Sequence, residues 1–199
     1  MNNEKLVTLA RQMPPAYKSF TTARASRDKS FDPIRQYHRD MAVNFLNGVG
    51  VMMSGPNGVG KTGWLAVLFM YAVKLYPQWG AHQRLWLRAR DVAQTYGYHL
   101  QEQEFDYPVD SLLQEAKILV IDELGRESDI KNFDRRMHNL IQRRVENRRV
   151  TLFTTNLSLD ADPEKPGTVR TVYGEGFWSL LHQSCLAVTV SGPDRRMGE

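Results

Sequence analysis

Gly55-Pro-Asn-Gly-Val-Gly-Lys-Thr62 stands between a short apolar run, Gly50 to Met53, and a segment apolar nearly all round, Lys61 to about Tyr76. The octapeptide satisfies G-x-x-x-x-G-K-[ST], and its flanks read as a buried strand and a helix packed on a sheet, the context this pattern requires. The chemistry explains the spacing. Gly55, Gly58 and Gly60 let the backbone curl so that its N–H groups turn inward toward phosphate oxygens. The helix N-terminus adds partial positive charge, Lys61 reaches the β- and γ-phosphates, and Thr62 can ligate Mg²⁺. Gly55, Pro56, Asn57, Gly58, Val59, Gly60, Lys61, Thr62 and Gly63 are therefore the candidate nucleotide-binding residues, and the implied cofactors are ATP and Mg²⁺.

Two further strands point to the same place. Ile118-Leu-Val-Ile-Asp122-Glu123 is an apolar run ending in two acids. Asp122 is the candidate Mg²⁺ partner of Thr62, and Glu123 the group that polarises an attacking water. Thr151-Leu-Phe-Thr-Thr-Asn156 is a strand with a polar tip, where Asn156 can orient that water alongside Glu123. Lys61, Glu123 and Asn156 make up the candidate catalytic set.

Outward from these strands the pattern alternates. Asp32-Pro33 opens a helix whose Ile34, Tyr37, Met41 and Phe45 recur at helical spacing, and Asn47-Gly48 ends it. Strands are expected at Leu85–Arg88, Lys117–Asp122, Val150–Thr155 and Leu186–Val190. Helices are expected from Asp91 to Tyr98 and from Ile130 to Asn147. Strands that are apolar on both faces and alternate with helices predict an α/β P-loop fold with a five-stranded parallel sheet flanked by helices. Residues 1–31 read as a short helix, a Pro14-Pro15 break and a basic arm, and 32–199 as the ATPase domain.

The chain has 199 residues, with 42% apolar and 24% charged residues, an ordinary globular balance. No apolar run is long enough to span a bilayer, and the first residues carry no apolar secretion core, so a cytoplasmic location without membrane contact is expected. One cysteine, Cys185, excludes an internal disulfide framework. Charge is segregated: seven Lys or Arg against three acids between Asp129 and Arg149, and seven acids against one lysine between Gln101 and Glu123. Such segregation suggests a basic face able to meet a polyanion. Arg135, Arg136, Arg143 and Arg144 are the candidate DNA contacts, although arginines so spaced on one helix cannot all share a face. Trp64, Trp86 and Phe133 are read as core rather than as base-stacking platforms.

With these motifs in hand, the sequence resembles the DnaC/DnaI-type helicase-loader family of AAA+ ATPases and the related IstB-type transposition helpers. GPNGVGKT, ILVIDELGRE, the helix ending ENRR before VTLFTTNLS, and the terminal VTVSGPDRR carry the resemblance, which covers roughly residues 16–197. It implies an AAA+ core without a separate helical lid, Asn156 as the first nucleotide sensor, and Arg195 or Arg196 near a late nucleotide-sensing arginine. It also implies a homo-oligomer that loads or remodels a replicative helicase on single-stranded DNA. The alternatives are an IstB-like transposition helper and a non-enzymatic, ATP-gated DNA-binding adaptor. One departure stands out: Gly176 and Leu180 occupy positions where the family's arginine finger is expected, leaving Arg170 as the nearest substitute.

Overall fold

The structure, a computed structural model, describes residues 13–93 except Ser19 and Ser26, then 107–127, 133–162 and 164–196. The expected helix ahead of Pro14 lies outside the described residues. Helix α1 (Asp32–Arg39) and helix α2 (Met41–Leu46) divide the expected single helix at Asp40, whose backbone leaves helical geometry. Both still bury the expected stripe of Ile34, Tyr37, Met41 and Phe45. The Tyr37 hydroxyl donates to the Val49 carbonyl at 2.6 Å, which ties the pair to the start of the sheet.

Strand β1 (Gly50–Ser54) leads through the glycine loop into helix α3 (Lys61–Leu75). Strand β2 (Arg84–Arg88) follows, then a helical run at 89–93 that begins two residues before the expected Asp91 start. Its expected continuation to Tyr98 lies outside the described residues. Helix α4 (Tyr107–Glu115), strand β3 (Ile118–Leu124), helix α5 (Phe133–Glu146), strand β4 (Val150–Thr155), helix α6 (Val169–Ser184) and strand β5 (Cys185–Thr189) complete the order. Helices α4 and α6 were not expected from the sequence.

The five strands pair in parallel in the order β2-β3-β4-β1-β5. Alternation along the central strands divides the core by the strand period of two. Val51, Met53, Ile118, Val120 and Leu152 face α1, α2 and α3, while Met52, Leu119, Ile121 and Phe153 face α4, α5 and α6. Trp64, Trp86 and Phe133 are buried, as read from the sequence. Because all strands run the same way, β1, β3 and β4 end side by side at one edge, where a parallel α/β sheet offers its ligand crevice.

The structure corrects one candidate DNA contact. Arg144 is fully buried and points into the protein. Its guanidinium donates to the Leu113, Ala116 and Val150 carbonyls and to the Thr151 hydroxyl. It thereby serves the carbonyls that close α4, where the helix dipole favours a cation. Arg135 and Arg143 stay exposed on α5, and Arg136 is partly covered.

Candidate nucleotide-binding site

The loop after β1 depends on its glycines. Gly55, Gly58 and Gly60 have φ of 151°, 78° and 108°, conformations that L side chains rarely adopt. A Cβ at Gly55 would lie 2.1 Å from the Val190 carbonyl oxygen, and one at Gly58 would lie 1.8 Å from an Asp194 carboxylate oxygen. The segment after β5 therefore lies directly against the loop, and the Arg195 N–H donates to the Gly58 carbonyl at 3.1 Å.

Inside the loop, Lys61 is buried, and its ammonium donates to the Gly55 and Pro56 carbonyls at 2.6 and 2.7 Å and to Asn156 Oδ1 at 2.9 Å. The first nucleotide-sensing candidate and the loop lysine are thus in direct contact. Burial pulls the Lys61 pKa down to about 8; the Asp122 charge opposes that fall, and Arg126 and Arg196 add to it. A buried cation held below its ordinary proton affinity, among other cations, is electrostatically prepared to receive an anion.

Asp122 ends the buried part of β3. Thr62 Oγ1 donates to its Oδ1 at 3.2 Å, and the Thr154 hydroxyl donates to the same oxygen. Burial pushes the Asp122 pKa above the usual aspartate value, against the lowering effect of the Thr154 hydrogen bond, and the neighbouring Glu123 charge pushes the same way as burial. A hydroxyl and a buried carboxylate at this distance are hard oxygen donors that fit Mg²⁺. Among the described residues no group of three His, Cys, Asp or Glu side chains could hold a metal by itself. A Mg²⁺ held by Thr62 and Asp122 would take waters and phosphate oxygens as its other ligands.

Glu123 turns away from the strand. The β3–β4 register shifts between Ile121 and Leu124, and Glu123 has φ of 61°. Its N–H donates to Thr154 Oγ1 at 2.9 Å, and Thr155 Oγ1 donates to the Leu124 carbonyl at 2.7 Å, so β4 fixes the irregularity on both sides. Bulges beside a site re-aim a side chain, and here the carboxylate enters the cleft instead of the core. Asn156, at the tip of β4 between β1 and β3, donates to Asn57 Oδ1 at 3.0 Å.

These groups line a cleft of about 840 Å³ that includes Asn57, Gly58, Gly60, Lys61, Thr62, Gly63, Glu123 and Asn156. Arg195 and Arg196, named through the family resemblance, line it as well. Tyr17, Phe20 and Arg24, assigned in sequence to an arm ahead of the ATPase domain, also line it. The phenyl of Phe20 sits over Gly63, where a Cβ would meet it at 2.7 Å, and Arg195 Nη1 donates to the Arg24 carbonyl at 3.4 Å. Arg126, also not singled out from sequence, touches both Asn57 and Glu123. It lies three residues beyond Glu123, across a turn closed by its N–H on the Glu123 carbonyl. Arg170 lies apart from this cleft, at the start of α6, bonded to Glu175 and the Ala161 carbonyl. Gly176 packs under His138, whose Cε1 lies 2.6 Å from where a Cβ would stand.

Fold and cleft together have the architecture of a P-loop core, a five-stranded parallel sheet with the glycine loop joining β1 to α3. The chain is similar to the crystal structure of the DnaC helicase loader at 18% identity and a TM-score of 0.72, covering 89% of this chain and 100% of that one. It is similar to the crystal structure of DnaI at 17% identity and a TM-score of 0.69, covering 90% and 95%. A third similar structure is the replication initiator DnaA bound to AMPPCP and single-stranded DNA, at 13% identity and a TM-score of 0.64, covering 89% and 51%. No family model and no curated protein matches the sequence. Among the described residues no helix is long and apolar enough to cross a membrane.

Proposed function

We propose that this chain is a helicase-loader-type AAA+ ATPase of the DnaC/DnaI class, which binds Mg²⁺-ATP and uses its hydrolysis to load or remodel a replicative helicase on single-stranded DNA. The observation that carries the reading is the convergence of Lys61, Thr62, Glu123 and Asn156 on one cleft, with Asp122 buried behind Thr62 and bonded to it. That cleft lies in a fold shared with the DnaC loader across the whole of the compared loader chain.

In this reading the loop from Gly55 to Gly63 wraps the phosphates, and Lys61 exchanges its loop carbonyls for β- and γ-phosphate oxygens. Thr62 and Asp122 hold Mg²⁺, which neutralises phosphate charge when bound. Glu123 takes a proton from the attacking water, Asn156 orients that water, and Arg195 and Arg196 report on the nucleotide. The described segment ahead of Asp32 serves the ATPase domain as an arm, with Tyr17, Phe20 and Arg24 lining the cleft. The protein works as a homo-oligomer in the cytoplasm, and Arg135, Arg136 and Arg143 meet the DNA backbone.

The test is fluorescence anisotropy of a labelled single-stranded oligonucleotide, titrated with protein in Mg²⁺-ATP, in Mg²⁺-ADP and without nucleotide. Tighter binding in ATP, abolished in Lys61→Ala, is expected. Absence of DNA binding in every state would remove the loading role and leave an ATPase whose partner is a protein.

A further inference from the structure

The turn that follows Glu123 brings a second charge against two residues that line the cleft, Asn57 and Glu123. Glu123 and Gly125 both have positive φ, 61° and 96°, and the Arg126 N–H closes the turn on the Glu123 carbonyl at 3.2 Å. Gly125 admits no side chain there, since a Cβ would meet Leu157 at 2.8 Å. The chain folds back, and Arg126 reaches the phosphate-binding loop. Arg126 Nη2 donates to Asn57 Oδ1 at 2.7 Å, and Nη1 lies 3.4 Å from Glu123 Oε1.

Asn57 Oδ1 also accepts from Asn156, and Asn156 accepts from Lys61. Arg126, Asn57, Asn156 and Lys61 therefore form one hydrogen-bonded chain, with a cation at each end and Glu123 beside it. The side chain of Arg126 is 47% exposed, so its bonds to Asn57 and Glu123 can be exchanged without disturbing the core. Arginine is suited to such an exchange: its planar fork matches phosphate oxygens, and its charge persists throughout the reaction. Gly176 and Leu180 bring no cation to an adjoining site, and the Arg170 guanidinium is engaged by Glu175 and the Ala161 carbonyl.

Resting on the ATPase reading above, we propose that Arg126 is the arginine this chain supplies, in cis, to the γ-phosphate of its own bound nucleotide. The oxygen of water bonds to the γ-phosphorus as the bond from that phosphorus to the β–γ bridging oxygen breaks, and the electron pair leaves on ADP. Glu123 accepts the water proton and returns it to the phosphate product. Arg126 transfers no proton. It leaves Glu123 for the γ-phosphoryl oxygens, freeing the carboxylate and neutralising the charge that builds on those oxygens.

The test compares wild type, Arg126→Ala and Arg126→Lys for steady-state ATP hydrolysis and for binding of a fluorescent ATP analogue. Arg126→Ala is expected to keep the analogue Kd within about threefold while kcat falls by about 10³-fold or more, the scale of a γ-phosphate arginine. Arg126→Lys should recover part of that loss. Mixing Arg126→Ala with Glu123→Gln separates cis from trans action, because each variant keeps the residue the other lacks. No recovery is expected; recovered turnover would place the arginine across a subunit boundary and overturn the proposal. Arg126→Ala turnover within about twofold of wild type would also overturn it while leaving the ATPase reading intact. Wild-type protein that binds ATP without turnover would overturn both.

Discussion

Replacing Arg144 by methionine separates structural arginines from candidate DNA contacts on one helix. The guanidinium is fully buried and donates to the carbonyls of Leu113, Ala116 and Val150 and to the Thr151 hydroxyl, at distances from 2.5 to 2.9 Å. Methionine fills much of the volume but strands three carbonyls away from water, each at about 1–3 kcal/mol. Recovered desolvation of the guanidinium offsets part of that sum. Its burial is costly enough to pull the Arg144 pKa down to about 9. The net expectation is a loss of about 3–5 kcal/mol, the low end of what three unsatisfied carbonyls would cost together. For a chain of this size that corresponds to roughly 6–20 °C in Tm, at about 2–4 °C per kcal/mol. Urea denaturation of Arg144→Met beside Arg143→Ala measures it. Arg143 is exposed, and its alanine variant should stay within about 0.5 kcal/mol of wild type. A loss below about 1 kcal/mol in Arg144→Met would refute the reasoning and return Arg144 to the candidate DNA contacts.

Three further outcomes are expected. Lys61→Ala should abolish nucleotide binding, read by titration calorimetry. Because the apo Lys61 pKa is near 8 and an anion raises it, ATP affinity should be full below pH 8 and fall as pH rises through it, with proton uptake on binding. Titrations in buffers of different ionisation heat detect that uptake, and an affinity flat from pH 7 to 9 would contradict the assignment. Alanine at Arg135, Arg136 or Arg143 should weaken single-stranded DNA binding and reduce its log–log salt slope by about 0.7 for each phosphate no longer neutralised.

Most of the sheet was legible because a parallel strand covered on both faces writes an apolar run, continuous from Ile118 to Ile121 and broken only by Thr151 from Val150 to Phe153. The phosphate loop was legible because its chemistry constrains residue type and spacing together. Helix α6 was obscured by Gly174, which has φ of 84° and kinks the helix, and by Gly176, although Val169, Tyr173, Phe177 and Leu181 keep an apolar repeat every four residues. Helix α4 is short and has Pro108 as its second residue, and the burial of Leu113 comes from its packing beside α5. Arg144 was misread because its partners, the end of α4 and the start of β4, are remote in sequence or across a turn. Arg126 was missed for a related reason: its contact with Asn57 spans 69 residues and depends on a turn that only backbone geometry reveals. The part Tyr17 and Phe20 take in the cleft likewise follows from tertiary packing, since neither belongs to a phosphate-binding pattern.

The most direct measurement is ATP binding and single-turnover hydrolysis by wild type and Glu123→Gln under identical Mg²⁺ conditions. The account predicts a variant that binds ATP within about threefold of wild type and hydrolyses it about 10²–10⁴ times more slowly, the contribution of a positioned general base. Hydrolysis by Glu123→Gln at the wild-type rate would contradict the site as described, because the group that β3 turns into the cleft would then have no part in the reaction.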